Sequence, residues 1–281
     1  VGTNCGLVGQ NACVEVDGAA YWMSENGFFR YAGKLESLPC LVEDFVYDDI
    51  NLESGNQMVS AGLNNLFGEV MWFYPTSSSS VINRMVAYNY FDSSSRRPVW
   101  TNGSLSRTMW RDSAVFGLPH ATEYDADTDT SFDVVGNTDG ISFYYEHETG
   151  TDQVRGSSVT TITSNISSGD YDITAQRAAT GQQTGIATFR GDGEFLMKIR
   201  RFVPDFISQT GSTRVTLELR NYPNNSQASS SLGPFDITSS TTKVDTRARA
   251  RAVALKIENT AASQSWKLGT FRLDVQPDGR R

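Results

Sequence analysis

The sequence predicts an all-β protein, with β-propeller blades over residues 1–150 and a β-sandwich-like module over residues 151–281. Three observations carry this. Strand-length runs rich in Val, Tyr, Phe and Trp recur at about 40 to 50 residues, the period of propeller blades. Gly, Asn and Ser punctuate those runs as hairpin turns do. Few segments sustain a helical period, whereas several alternate apolar and polar residues with a period of two.

Taken in order, residues 1–13, with Gly2, Gly6 and Gly9, read as a loop or edge strand entering the first blade. Val14–Met23 is then one aromatic run, broken at Ser24-Glu-Asn-Gly27 and resumed at Phe28–Gly33. Leu35–Cys40 reads as the end of a strand, and Val42–Tyr47 alternates too poorly to assign. Asp48–Gly55 suggests one short helical turn ending at glycine. The layout returns in Glu69–Pro75, a serine-rich turn at Thr76–Ser80, Arg84–Tyr90 and Pro98–Gly103. A fainter third copy is His120–Tyr124, an Asp/Thr loop and Ile141–His147.

After Gly150 the composition shifts. Thr151–Gly193 is rich in Ser, Thr, Gly and Gln, with Ser157–Tyr171 reading as polar strand and turn, so a domain boundary or crossover is expected there. Beyond it the alternation is clean. In Thr213–Arg220, Val215, Leu217 and Leu219 face one way and Arg214, Thr216, Glu218 and Arg220 the other, the pattern of a half-buried antiparallel strand. Phe195–Phe202, Ala252–Glu258 and Trp266–Val275 supply further strands, enough for a small sandwich.

The totals bound the class. A chain of 281 residues, 38% hydrophobic and 11% aromatic, can bury sizeable cores. It contains no apolar run of membrane-spanning length and no basic region followed by an apolar core, so neither a membrane span nor a signal peptide is expected. The chain opens on Val1 in mid-pattern, and three blades are fewer than the about four to eight that close a propeller. A processed chain or part of a longer one is expected, with the remaining blades supplied from elsewhere. The formal charge of −8 argues against affinity built on phosphate neutralisation. Three cysteines, Cys5, Cys13 and Cys40, fit small buried thiols in a reducing compartment, with a Cys5–Cys13 bridge as the alternative.

Chemistry has few candidates. His120 and His147 are the only histidines, too few for a multi-histidine zinc site, and His147 beside Glu146 and Glu148 reads as a hydrogen-bonded structural residue with no catalytic role. Asp125, Asp127 and Asp129 alternate as calcium loops begin, but the sixth position is Thr130 and the twelfth Gly136. The loop therefore fails the EF-hand pattern and stands only as a weak metal candidate beside the reading of a solvated acidic loop. No cofactor is expected. Trp22, Trp72, Trp100 and Trp110 suit either a sugar-stacking platform or packing between blades, and packing is favoured. Thr246-Arg-Ala-Arg-Ala-Arg251 is the most unusual run. Read as one strand, it puts Arg247, Arg249 and Arg251 on a single face that continues into Val253, Leu255 and Ile257, which suits a contact with a neighbouring subunit or with DNA as well as it suits a solvated face, and the acidic surplus elsewhere favours carboxylates as the partner.

Several of these segments together resemble a known group. Ala20–Met23 with Leu38-Pro-Cys40, Trp72–Pro75 with Tyr88–Tyr90, Arg107–Asp112, Tyr145–Gly150, and the tail Lys243–Arg251 with Trp266–Arg281 look like tail proteins of short-tailed bacteriophages. Within that group the chain is similar to the nozzle or packaged-DNA stabilisation proteins below the portal and adaptor. The resemblance implies a hexameric ring with outer propellers, a central DNA channel, and attachment sites for fibres. It implies localisation to the virion tail, assembled in the bacterial cytoplasm. The first expectation is accordingly a non-enzymatic tail protein whose homo-oligomeric ring retains and conducts viral DNA without specific binding. Arg247, Arg249 and Arg251 are its candidate subunit contacts. The alternatives are a carbohydrate-binding tail adhesin, which would meet the host surface through exposed tryptophans, and a propeller glycoside hydrolase, which needs paired carboxylates.

Overall fold

Asp17-Gly18 decides how the first sheet begins. In the computed structural model, which describes residues 4–53, 56–94, 97–113, 117–125, 140–173, 195–222, 230–259 and 261–279, both residues adopt left-handed backbone angles, φ 51° and 74°. Two such residues in succession make the tight turn whose twist matches a hairpin. The expected single run Val14–Met23 is therefore two strands, β1 (Cys13–Val16) and β2 (Ala19–Ser24). β3 (Gly27–Tyr31) and β4 (Leu35–Leu38) complete a four-stranded antiparallel meander in chain order.

The segment that alternates too poorly for a strand is a short helix, α1 (Glu43–Tyr47), one turn earlier than the helical turn expected at Asp48–Gly55. Its buried Val46 faces the core, and the Tyr47 hydroxyl donates to Ser24 O at 2.8 Å while accepting from Gly27 N at 3.0 Å. A second meander follows: β5 (Ser60–Asn64), β6 (Glu69–Tyr74), β7 (Arg84–Ser94) and β8 (Arg97–Gly103). The third sheet has order β11-β10-β9, from β9 (Met109–Arg111), β10 (His120–Asp125) and β11 (Ile141–Glu146).

These three sheets stack face to face. β6 is buried on both sides: Val70, Trp72 and Tyr74 join Met23, Phe28 and Val46 in one core, whereas Met71 and Phe73 join Ile82 and Ala87 in another, packed against Trp110. Their first strands lie side by side. Asn11, just before β1, bridges Ser60 on β5 in parallel, and Gly62 on β5 touches β9 so closely that a Cβ there would stand 2.7 Å from Trp110 Cβ.

The chain divides into two compact units, Val1–Thr149 and Gly150–Arg281. The polar stretch opening the second holds strand and turn, as expected of Ser157–Tyr171, with one more strand before it: β12 (Asp152–Arg155), β13 (Ser158–Thr161), β14 (Ser164–Ser167) and β15 (Tyr171–Asp172). Then come β16 (Met197–Val203), β17 (Phe206–Thr210), β18 (Thr213–Arg220), β19 (Ser230–Ile237), β20 (Val244–Ala250), β21 (Ala252–Asn259), β22 (Ser265–Leu268) and β23 (Arg272–Pro277). Trp266–Val275, expected as one strand, is interrupted at Gly269, whose N–H donates to Asp205 O at 2.7 Å. β22 accordingly pairs with β17 and β23 with β16.

One sheet has order β14-β21-β18-β19, with β15 also on β21, and another has order β20-β16-β23. Both turn apolar faces into one core: Ile199 and Phe202 from β16 and Ala248 from β20 meet Val215 and Leu217 from β18 and Ile257 from β21. Each large side chain so buried contributes about 1.5–3 kcal/mol. Thr213–Arg220 keeps the alternation read from its sequence, with Val215, Leu217 and Leu219 all buried. Among the described residues every strand pair is antiparallel, and no helix is long and apolar enough to cross a membrane.

Candidate functional site

The outer face of the β20-β16-β23 sheet concentrates positive charge. β20 alternates strictly, so Thr246, Ala248 and Ala250 point into the core and Asp245, Arg247 and Arg249 point out. On β16, Met197, Ile199 and Phe202 point in and Lys198 points out, while a register shift between Ile199 and Arg201 keeps both Arg200 and Arg201 out of the core. Lys198 stands directly opposite Arg249.

Part of this charge is balanced. Arg201 lies 3.5 Å from Asp245 and 3.6 Å from Asp274, and Arg249 Nε is 2.6 Å from Asp278. Lys198, Arg200 and Arg247 are exposed and have no ion pair among the described residues. Like charges facing each other across a ladder destabilise a sheet, and Asp278 answers this on the Arg249 side, which leaves Lys198 exposed beside it.

Arg251 does not share that face. The chain bends at Arg251, whose N–H donates to Arg220 O at 3.0 Å, and passes from β20 into β21, a strand of the other sheet. The bend breaks the period of two, so Val253, Leu255 and Ile257 line the core instead of prolonging the arginine stripe. Lys198, Arg200 and Arg201 complete the face in its place. Their signal was the charged, outward half of the alternation in Met197–Phe202.

Other polar groups are occupied in the fold. Arg107, 4% exposed, donates from Nη1 to Glu123 Oε2 and from Nε to His147 Nε2, both at 2.8 Å, and its guanidinium lies 4.2 Å from the Tyr145 ring centre. Burial first, then the adjacent Arg107 charge, lowers the His147 pKa to about 4, so the imidazole is neutral at physiological pH with Nε2 engaged as an acceptor. Trp22, Trp72, Trp100 and Trp110 donate from Nε1 to the carbonyls of Cys5, Ala12, Pro39 and Leu63 at 2.8, 3.0, 2.8 and 2.9 Å. Each also packs a ring against another aromatic, as in Phe28–Trp72 at 4.9 Å and Phe28–Trp100 at 4.8 Å. Their indoles thus tie one segment to the next.

Asp125 ends β10, paired with Ile141, whereas Asp127 and Asp129 lie outside the described residues. Among the described residues no group of three or more His, Cys, Asp or Glu is placed to hold a metal. Cys5, Cys13 and Cys40 are free thiols. Cys13 is exposed and the other two half-buried, and burial pushes the Cys40 thiol up to about 11.

The chain matches no family model and no curated protein. Its surface charge is the main guide to function. The net −8 hides an opposition between the units: Val1–Thr149 holds seven Lys and Arg against twenty Asp and Glu, and Gly150–Arg281 holds seventeen against twelve. The basic face thus sits in the basic unit of an acidic chain.

Proposed function

We propose that the chain is a structural protein of a short-tailed bacteriophage tail, of the nozzle type. It forms a homo-oligomeric ring, hexameric by the resemblance described above, through which viral DNA is retained and then ejected. In this reading the three stacked sheets of the first unit are successive propeller blades, and the two sheets sharing a core in the second are a β-sandwich. The observation that carries it is the outward row Arg247 and Arg249, extended by Lys198 and Arg200. It is a charged, regular face on an antiparallel sheet, suited to a subunit contact.

The net charge of −8 supports passage of DNA without tight binding, because like charge denies phosphates the counterion-release affinity that would stall them. The protein works by shape and assembly in the virion, with adaptor and fibre proteins as further partners. Mass photometry and negative-stain imaging of the purified protein test this. The expected result is a ring with an axial hole, and a compact monomer under all buffer conditions overturns it.

A further inference from the structure

We infer that the basic outer face of the β20-β16-β23 sheet docks on the acidic first unit of a second copy, centred on the α1 turn, so that copies join head to tail. This rests on the proposed oligomeric reading and names the surfaces that build it. On one side stand the unpaired cations Lys198, Arg200 and Arg247. On the other, Glu43 and Asp44 are exposed on a single helical turn without a basic residue in its last turn, flanked by Leu41 (74% exposed) and Phe45 (42%). Leu41 beside two carboxylates offers both the anchor and the charge that a cationic sheet lacks, and the Phe45 ring, 5.7 Å from the Arg84 guanidinium, bounds the patch on its other side. Planar guanidinium forks suit carboxylates.

The carboxylates of Asp245, Asp274 and Asp278 on or beside the basic face favour a protein partner over nucleic acid. These aspartates are already paired with Arg201 and Arg249 and divide the face into separate cations, which suit single carboxylates of a protein better than the continuous charge of a phosphate backbone. Because the two patches differ, the contact can pass from copy to copy in one direction, and repeated in that way it closes into a ring or runs on as a filament.

The experiment uses the full chain in two charge-reversed forms, Arg200→Glu/Arg247→Glu and Glu43→Lys/Asp44→Lys, with circular dichroism confirming that each folds. All four positions are exposed, so the fold is expected to hold. By sedimentation at about 50 mM salt, where charge contacts are least screened, the wild type is expected to assemble and each variant to self-associate at least about tenfold more weakly. An equimolar mixture of the variants should assemble as alternating copies, since each acidic surface of one then meets a basic surface of the other, and a chain carrying all four substitutions should regain assembly. A wild type that assembles while both variants assemble equally well overturns this contact and leaves the ring reading intact. A wild type that stays monomeric removes both. Binding of a short DNA duplex that Arg200→Glu/Arg247→Glu abolishes, with assembly unaltered, reassigns the face to phosphate and overturns the inference.

Discussion

Arg107 is held by a carboxylate, an imidazole and an aromatic face while almost wholly out of water. A buried cation held this way is stable only with its partners in place. Glu123→Ala is expected to lower stability by about 3–5 kcal/mol in urea denaturation, whereas the double variant Arg107→Met/Glu123→Leu should lose less, since no charge is then stranded. His147 adds a dependence on pH. Its folded pKa of about 4 lies below the ordinary 6.5, so as pH falls through that window the unfolded chain takes up a proton that the folded chain refuses. Stability contributed by His147 is therefore full above about pH 6.5, declines towards about pH 4 and is level below it. Discounted for partial contact with solvent, the loss is about 1 kcal/mol. His147→Gln should remove this part of the slope, read as the difference between wild-type and variant urea midpoints at neutral and acid pH.

At the scale of elements, the junction between the second and third sheets is set by a missing side chain. Gly62 allows Trp110 to lie against β5 and donate to Leu63 O, and a Cβ there would overlap the indole. Gly62→Ala is expected to cost about 1–3 kcal/mol through overpacking and to shift tryptophan emission towards that of a wetter indole. The same scale explains what could be read from sequence. Thr213–Arg220 was legible because it is buried on one face only, so its letters alternate. Met71 and Phe73 were not, because β6 is covered on both faces and its run of apolar letters carries no parity. Asp17-Gly18 was a turn signal of the strongest short-range kind, hidden inside a run that otherwise reads as one strand. Arg247 and Arg249 were legible as an outward pair, but Arg251 was not excludable, since only tertiary structure says where a chain leaves one sheet for another. Lys198 joins them by lateral pairing across 51 residues of sequence, and no local pattern records that register.

For the whole molecule, the opposed charge of the two units makes ionic strength a control on behaviour. Self-association carried by exposed cations and carboxylates is screened within a Debye length of about 8 Å near physiological salt and about 3 Å near 1 M. Titrating salt against particle mass is expected to give progressive dissociation, while an assembly held by apolar burial would persist or tighten. The double covering of β6 has a consequence in time as well as in space. Its amides can meet solvent only after a neighbouring layer has come away, so deuterium should enter β6 last among the strands of the first unit, after β4 and β11 at the margins have already exchanged.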